Sequence, residues 1–358
     1  MNHDRFGIVT LLAFLAMASL PLAAGPLTFS VDEKARSYTI LDQGAPVLTY
    51  RFGEVPLPTG LTAPHFRKKD TPYDGAYFTD GSQYGGERSD YIHPLFGFRG
   101  EALTEDYPKD HMHHRSLWWS WCEVRRKDKI ADLWAVCKIR AYPVKIARME
   151  AQSEHAVLEA VNVWRYDDDP SDVLTETVTI RASKASGNPG ARSRTVDVDV
   201  RLEALVDDLA IAGRQKVDYG GYGGMTVRLN PGVKEFSIRA VHPNPDKWKG
   251  DDLKIVQRVT DPATFGNAAW LALQGKYPAA ATETPDFTTV MMFESKATPL
   301  FPNNFRYYGT TCISLAFPGR TIFPLPKGKP VDYKTRFVVC EGKTTIEQEK
   351  AAWQAYQQ

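Results

Sequence analysis

Residues 196–202 read Val-Asp-Val-Asp-Val-Arg-Leu. Apolar and charged side chains alternate one for one, the period of a strand with one face buried and the other wet. Working outward, the same alternation or β-branched enrichment marks Ala156–Tyr166, Val173–Ile180 and Thr195–Leu205, and these read as strands. Leu27–Val31, Tyr38–Leu41 and Pro46–Tyr50 form an opening set. Ala135–Ile139, Met225–Leu229, Phe236–Ala240, Thr288–Phe293, Cys312–Ala316 and Tyr333–Val339 complete it. A parallel helix-and-strand fold would need amphipathic helices between most of these strands, and the sequence has none there. One helix is expected, over residues 345–356, with Thr344 or Thr345 as its cap. The expected fold is therefore all-β, a large antiparallel β-sandwich with long loops and a short C-terminal helix.

Arg5, the apolar run Ile8–Leu22 and the small residues Ala23 and Ala24 have the layout of a secretory signal. The run is about 15 residues long, where a membrane span needs roughly 20. The reading is a signal peptide over 1–24 and a single domain over 25–358, periplasmic or secreted, with no membrane span after cleavage. The 44 basic and 43 acidic residues nearly cancel, and no basic face is evident, so nucleic acid is not expected as a partner. Cys122, Cys137, Cys312 and Cys340 form no CxxC pair. Disulfides, in one of three pairings, and buried free thiols both remain open.

Chemistry-bearing residues concentrate in one stretch. Tyr91–Gly97 reads Tyr-Ile-His-Pro-Leu-Phe-Gly, Leu103–Pro108 reads Leu-Thr-Glu-Asp-Tyr-Pro, and Asp110–Arg115 reads Asp-His-Met-His-His-Arg; Leu-Trp-Trp-Ser-Trp follows at 117–121. Four of the eight histidines lie between 93 and 114. Imidazoles titrate nearest neutral pH, so such a cluster suits proton transfer or metal ligation. In extended backbone His111 and His113 share a face with Arg115, and His114 points the other way. A second feature, Asp218–Met225, is glycine-rich but leads into a strand, so it reads as a tight turn presenting Tyr219, Tyr222 or Arg228 rather than a phosphate loop. A third, Met292-Phe-Glu294 followed by Pro299–Gly309, supplies Asn303, Asn304, Arg306, Tyr307 and Tyr308, types that hydrogen-bond and pack on sugars and also form ordinary turns. Glu105, Asp106, Asp110 and Glu294 are the candidates for a carboxylate pair. No Gly-x-Ser-x-Gly elbow and no P-loop are present.

The blocks at 91–97, 103–108 and 110–115, with Gly220–Met225 and Met292–Gly309, resemble the hallmark of the bacterial PmoA-like family of unknown function, whose name refers to methane oxygenase. This chain departs from the usual pattern at Met112, Ser116 and Glu294-Ser295, where proline, glycine and Asp-His are usual. A methane monooxygenase subunit spans the membrane several times, whereas this chain has no such span after its signal. The resemblance implies a supersandwich like that of galactose mutarotase, among relatives found with carbohydrate-degrading genes.

The expected function is acid/base chemistry on a small-molecule or oligosaccharide ligand. His111 and His113 are the expected acid and base, positioned by Asp110, with Glu294 as a second base. Arg115, His93, His114, Glu105, Trp119, Tyr222 and Arg306 are expected to bind the substrate. No cofactor is required. A transition metal, held by His111 and His113, and a non-catalytic sugar-binding module are the alternatives.

Overall fold

The computed structural model describes residues 27–60, 86–109, 111–215, 220–241, 254–257, 263–265, 268–278, 286–307 and 311–358, with backbone alone at 254–257 and 263–265. Asp110, Asp218, Tyr219, Tyr308 and residues 1–24, read from sequence as a signal peptide, lie outside them.

In chain order the strands are β1 (Leu27–Asp32), β2 (Ser37–Asp42), β3 (Ala45–Arg51), β4 (Tyr91–Leu95), β5 (Leu117–Trp121), β6 (Glu123–Arg126), β7 (Lys129–Ala131) and β8 (Ile139–Ala151). Next come β9 (His155–Tyr166), β10 (Asp169–Ser183), β11 (Ser193–Ala204), β12 (Leu209–Ala212), β13 (Gly223–Arg228), β14 (Lys234–Val241) and β15 (Lys254–Gln257). The last are β16 (Ala263–Phe265), β17 (Trp270–Lys276), β18 (Phe287–Glu294), β19 (Asn304–Tyr307), β20 (Cys312–Ala316), β21 (Phe323–Leu325) and β22 (Val331–Glu341), followed by helix α1 (Ile346–Tyr356). One nine-stranded sheet has the order β1-β2-β3-β4-β5-β13-β20-β19-β16, and a second β15-β14-β17-β18-β22-β11-β10-β9-β8. Every pairing is antiparallel. A small sheet, β21-β12-β6-β7, joins the same core through Val124, Ile211 and Leu325. The all-β sandwich is as expected.

The alternation at 196–202 is realised in β11. Val196, Val198, Val200 and Leu202 are fully buried. On the other face Asp197 meets Arg336 at 2.5 and 2.8 Å and Arg201 meets Asp332 at 2.7 and 3.0 Å, each directly across from its partner on β22. Thr345 caps α1 in a capping box with Gln348, satisfying otherwise orphaned first-turn donors. The helix lays Trp353 on the outer face of the second sheet, against Trp270 and Val241.

One expectation fails. Ala135–Ile139 is a turn up to the first residue of β8, with Val136 at φ 53° and Lys138 at φ 67°, a conformation that takes a β-branched residue out of any strand. All four cysteines are buried free thiols.

Candidate active site

Strand β5 decides which residues meet. Leu117, Trp119 and Trp121 point into the core between the two large sheets. Trp118 points the other way, where it packs with Tyr91, Trp134, Tyr222, Cys122 and Cys312 on the outer face of the first sheet. The pairing carries this face across neighbouring strands, because residues directly opposite share a side. Trp118 faces Thr226, Thr226 faces Ser314, and Ser314 faces Arg306.

The histidines sit on this face. Residues 111–114 form a turn closed by His114 N donating to the His111 carbonyl at 2.8 Å. The turn gathers three imidazoles: ring centroids are 5.7 Å apart for His111 and His113, 4.7 Å for His111 and His114, and 4.6 Å for His113 and His114. His114 is buried against Trp118 and Trp134, at 5.4 and 5.5 Å. His111 and His113 are half-buried and reach the surface. Expected on opposite faces of an extended segment, the three are instead brought together by the turn.

Charge around the cluster is arranged by buried arginines. Arg115 is fully buried. Its guanidinium donates to the carbonyls of Met112 (2.7 Å), His114 (2.8 Å) and Gly86 (3.0 Å), lies 3.6 Å from Asp106 and stacks 3.6 Å from the centre of Tyr107. So many contacts with the protein itself make Arg115 the clamp of the turn rather than a ligand-binding group. Asp106 also accepts from Tyr91 Oη at 2.8 Å. Arg228 lies 3.5 Å from His114 Nδ1 and 3.5 Å from Glu105. Glu105, a quarter exposed, therefore stands across Arg228 from the imidazoles. Burial, then His111, Arg115, Arg214 and Arg88, holds the His113 pKa well below the ordinary histidine value. Burial, then His113, His111 and Arg228, does the same to His114. Both imidazoles are neutral at pH 7 and able to accept a proton.

Of the other expected residues, His93 is on β4 of the same face, its pKa lowered by burial and its surroundings shared with Asp106 and Arg115. Tyr222 joins through Trp134, at 5.3 Å, and accepts from Arg214 Nε at 3.3 Å. Arg306 approaches the same corner: a side chain at Gly221, whose φ is +85°, would fall 3.1 Å from its guanidinium. Gly221 is thus a point of close backbone approach.

Two expected residues are elsewhere. Trp119 is 2 % exposed and core-facing, so no ligand can stack on it. Glu294 ends β18 in the second sheet, on the core-facing side with Met292. It accepts from the backbone and side-chain nitrogens of Asn303 and so closes the 294–303 loop. Burial pushes its pKa up to about 7, against those two bonds. Among the described residues no group of three or more His, Cys, Asp or Glu is placed to hold a metal ion.

Sequence reasoning missed Trp134, Tyr107, the buried Arg214–Asp132 ion pair and Arg88, which donates to the Trp134 carbonyl (3.1 Å) and Ser120 Oγ (2.9 Å). Asp132, Trp134 and Arg214 are distant in sequence from the histidines; Tyr107 stood in the 103–108 block without a role read for it, and Arg88 lies outside every block singled out.

Residues 39–354 match the profile of a family of unknown function, DUF6807. The chain belongs to DUF6807. The match spans the second large sheet, the first sheet apart from β1 and the start of β2, and every described residue of the histidine face. No curated protein is similar in sequence to this DUF6807 chain. Among solved structures, the GH36 alpha-galactosidase AgaA of Geobacillus stearothermophilus, in complex with stachyose, matches at 13% identity and a TM-score of 0.33. The match covers 89% of the DUF6807 chain and 40% of that enzyme's chain. No helix among the described residues is long and apolar enough to cross a membrane.

Proposed function

We propose that this is an exported carbohydrate-active enzyme that binds a saccharide on the outer face of the first sheet and moves a proton on it. The observation that carries this reading is the packed trio His111, His113 and His114, its two innermost rings held neutral beside buried arginines. His113 is the base, accepting a proton at imidazole nitrogen. Glu105, held by Arg228, is the opposed acidic group, since acid/base work on a ring needs two partners on different sides of it. Arg306 and Tyr222 orient hydroxyls. Asp110, adjacent in sequence to His111, completes the set as the orienting carboxylate. A purely stacking sugar-binding module is the weaker reading, because Trp118, Trp119 and Trp121 are 0–2 % exposed and offer no platform.

The test is incubation with a panel of neutral and acidic saccharides in deuterated water, followed by proton NMR. Wild-type protein is expected to exchange a carbon-bound proton next to a carbonyl or carboxyl carbon of at least one sugar, and His113→Asn to slow that exchange by about 100-fold or more. An identified substrate processed equally well by His113→Asn would remove His113 from the chemistry.

A further inference from the structure

A second polar cluster, centred on Trp119 of the aromatic run, lies inside the sandwich. Trp119 Nε1 is 3.1 Å from Asp90 Oδ2 and 3.1 Å from Glu176 Oε1, so a single N–H serves two carboxyl groups. Tyr50 Oη on β3 donates to Asp90 Oδ1 at 2.6 Å. Trp164 Nε1 on β9 donates to Glu176 Oε2 at 3.0 Å, and Asn162 Nδ2 lies 3.4 Å from Glu176 Oε1. Asp90 is 4 % and Glu176 1 % exposed. Asp90 precedes β4 in the first sheet and Glu176 lies on β10 in the second.

Charge counting around the pair is short. Arg88, buried in the same turn as Asp90, is the near cation. Strand β3 contributes only the Tyr50 hydroxyl, β5 the Trp119 indole, and β9 the neutral Asn162 and Trp164. Glu54, Glu87 and Arg140 stand at the recess that borders the pair. One guanidinium offsets one carboxylate, and double ionisation of two buried carboxyls that share a single N–H donor is strongly disfavoured in a medium of low dielectric.

We infer that Asp90 and Glu176 hold one proton between them, and that this shared proton ties the first sheet to the second. The tie stands whether or not the histidine face acts on a saccharide. It lies beneath that face, because Arg88 of the same turn holds the carbonyl of Trp134, against which His114 packs.

The consequence is a fold that weakens in alkali. Burial, then Asp90, raises the Glu176 pKa well above 4.5. Above that ordinary value the folded chain keeps a proton that the unfolded chain releases. The folding constant should therefore fall about tenfold per pH unit until the folded pair itself ionises. Glu294 and Asp199, raised to about 7 and about 6, act in the same direction, so the test must be a difference between variants.

Equilibrium unfolding would be measured from about pH 5 to pH 9 for wild type, Glu176→Gln, Asp90→Asn and the double variant. Each single variant should lose about one tenfold-per-unit step of the pH dependence, and the double variant no more than either single one. An unchanged dependence in both single variants overturns the inference. Should neither variant fold, infrared spectroscopy of the wild type decides. A protonated carboxyl band that Asp132→Asn leaves in place should persist above the range where Glu294 and Asp199 titrate, and its absence overturns the inference.

Discussion

Trp118 and Trp119 are neighbours in sequence and stand on opposite faces of one strand. Trp118 backs a cluster of imidazoles on the outer face; Trp119 bridges two carboxyl groups in the core. One is a site built on a turn, half open, with its arginines committed to carbonyls and acids. The other is closed and hydrogen-bonded on every side by named donors. Two polar clusters, one of imidazoles beside arginines and one of carboxyls, are thus held apart by the thickness of a single sheet. The two-residue period of a strand is what keeps them apart.

The comparison breaks most visibly at Arg115. Arg115→Met strands three backbone carbonyls and Asp106 and should cost about 3–5 kcal/mol in urea unfolding. Arg115→Lys should recover little, because an ammonium cannot span the same fork of acceptors. A loss below about 1 kcal/mol for the methionine variant would show that the 111–115 turn is held by something else.

The tryptophans themselves sharpen it. Trp119→Phe leaves two buried carboxyls without their common donor and should cost about 2–3 kcal/mol. Trp118 Nε1 has no acceptor among the described residues, so Trp118→Phe loses packing alone, about 1–1.5 kcal/mol. Equal losses in matched unfolding curves would erase the distinction between the two faces.

How much of this was legible follows from where each cluster keeps its residues in the chain. The outer cluster is nearly contiguous, 93 to 115, so its residue types announced themselves even though the turn geometry did not. The inner pair draws Tyr50, Asp90, Trp119, Asn162, Trp164 and Glu176 from five separate segments, and no local pattern links them. The fold shows the same division. β11 alternates strictly and β10 over most of its length because one face is wet, and β9, though more buried, is rich in β-branched and aromatic residues; all three were readable. β8 was not: it is an edge strand with register shifts near Pro143 and Ile146, which break the alternation as edge strands often do. β17 was missed because all but one of its residues are buried, and an even apolar run carries no period. The C-terminal helix was legible because its cap is local.

The two faces should also respond to pH with opposite sign. The folded pKa values of His113 and His114 are depressed. The unfolded chain therefore takes up protons first as pH falls below about 6.5, and stability falls with it, up to tenfold per unit for each histidine. His113→Asn should flatten that acid limb between about pH 6.5 and 5 while leaving the alkaline limb of the carboxyl pair unchanged. A flattened alkaline limb would mean that the two clusters are one electrostatic unit.

The smallest effect is expected at Glu294, and it is the sharpest control on the separation of faces. Its carboxyl lies on the core side of the second sheet and is held by Asn303. With a pKa raised to about 7, the folded group keeps its proton between 4.5 and about 7 where the unfolded one does not. It contributes stability at the acid end of that window, and the contribution disappears as pH rises through it. Glu294→Gln should remove that slope and change unfolding free energy at pH 7 by no more than about 1 kcal/mol. Proton exchange on a saccharide should stay within about twofold of wild type, because this carboxyl lies on the core side of the second sheet while the imidazoles lie on the outer face of the first. Were exchange lost while the fold survived, a carboxyl on one side of the sandwich would be acting on the other, and the one-residue alternation along β5 would no longer suffice to define the site.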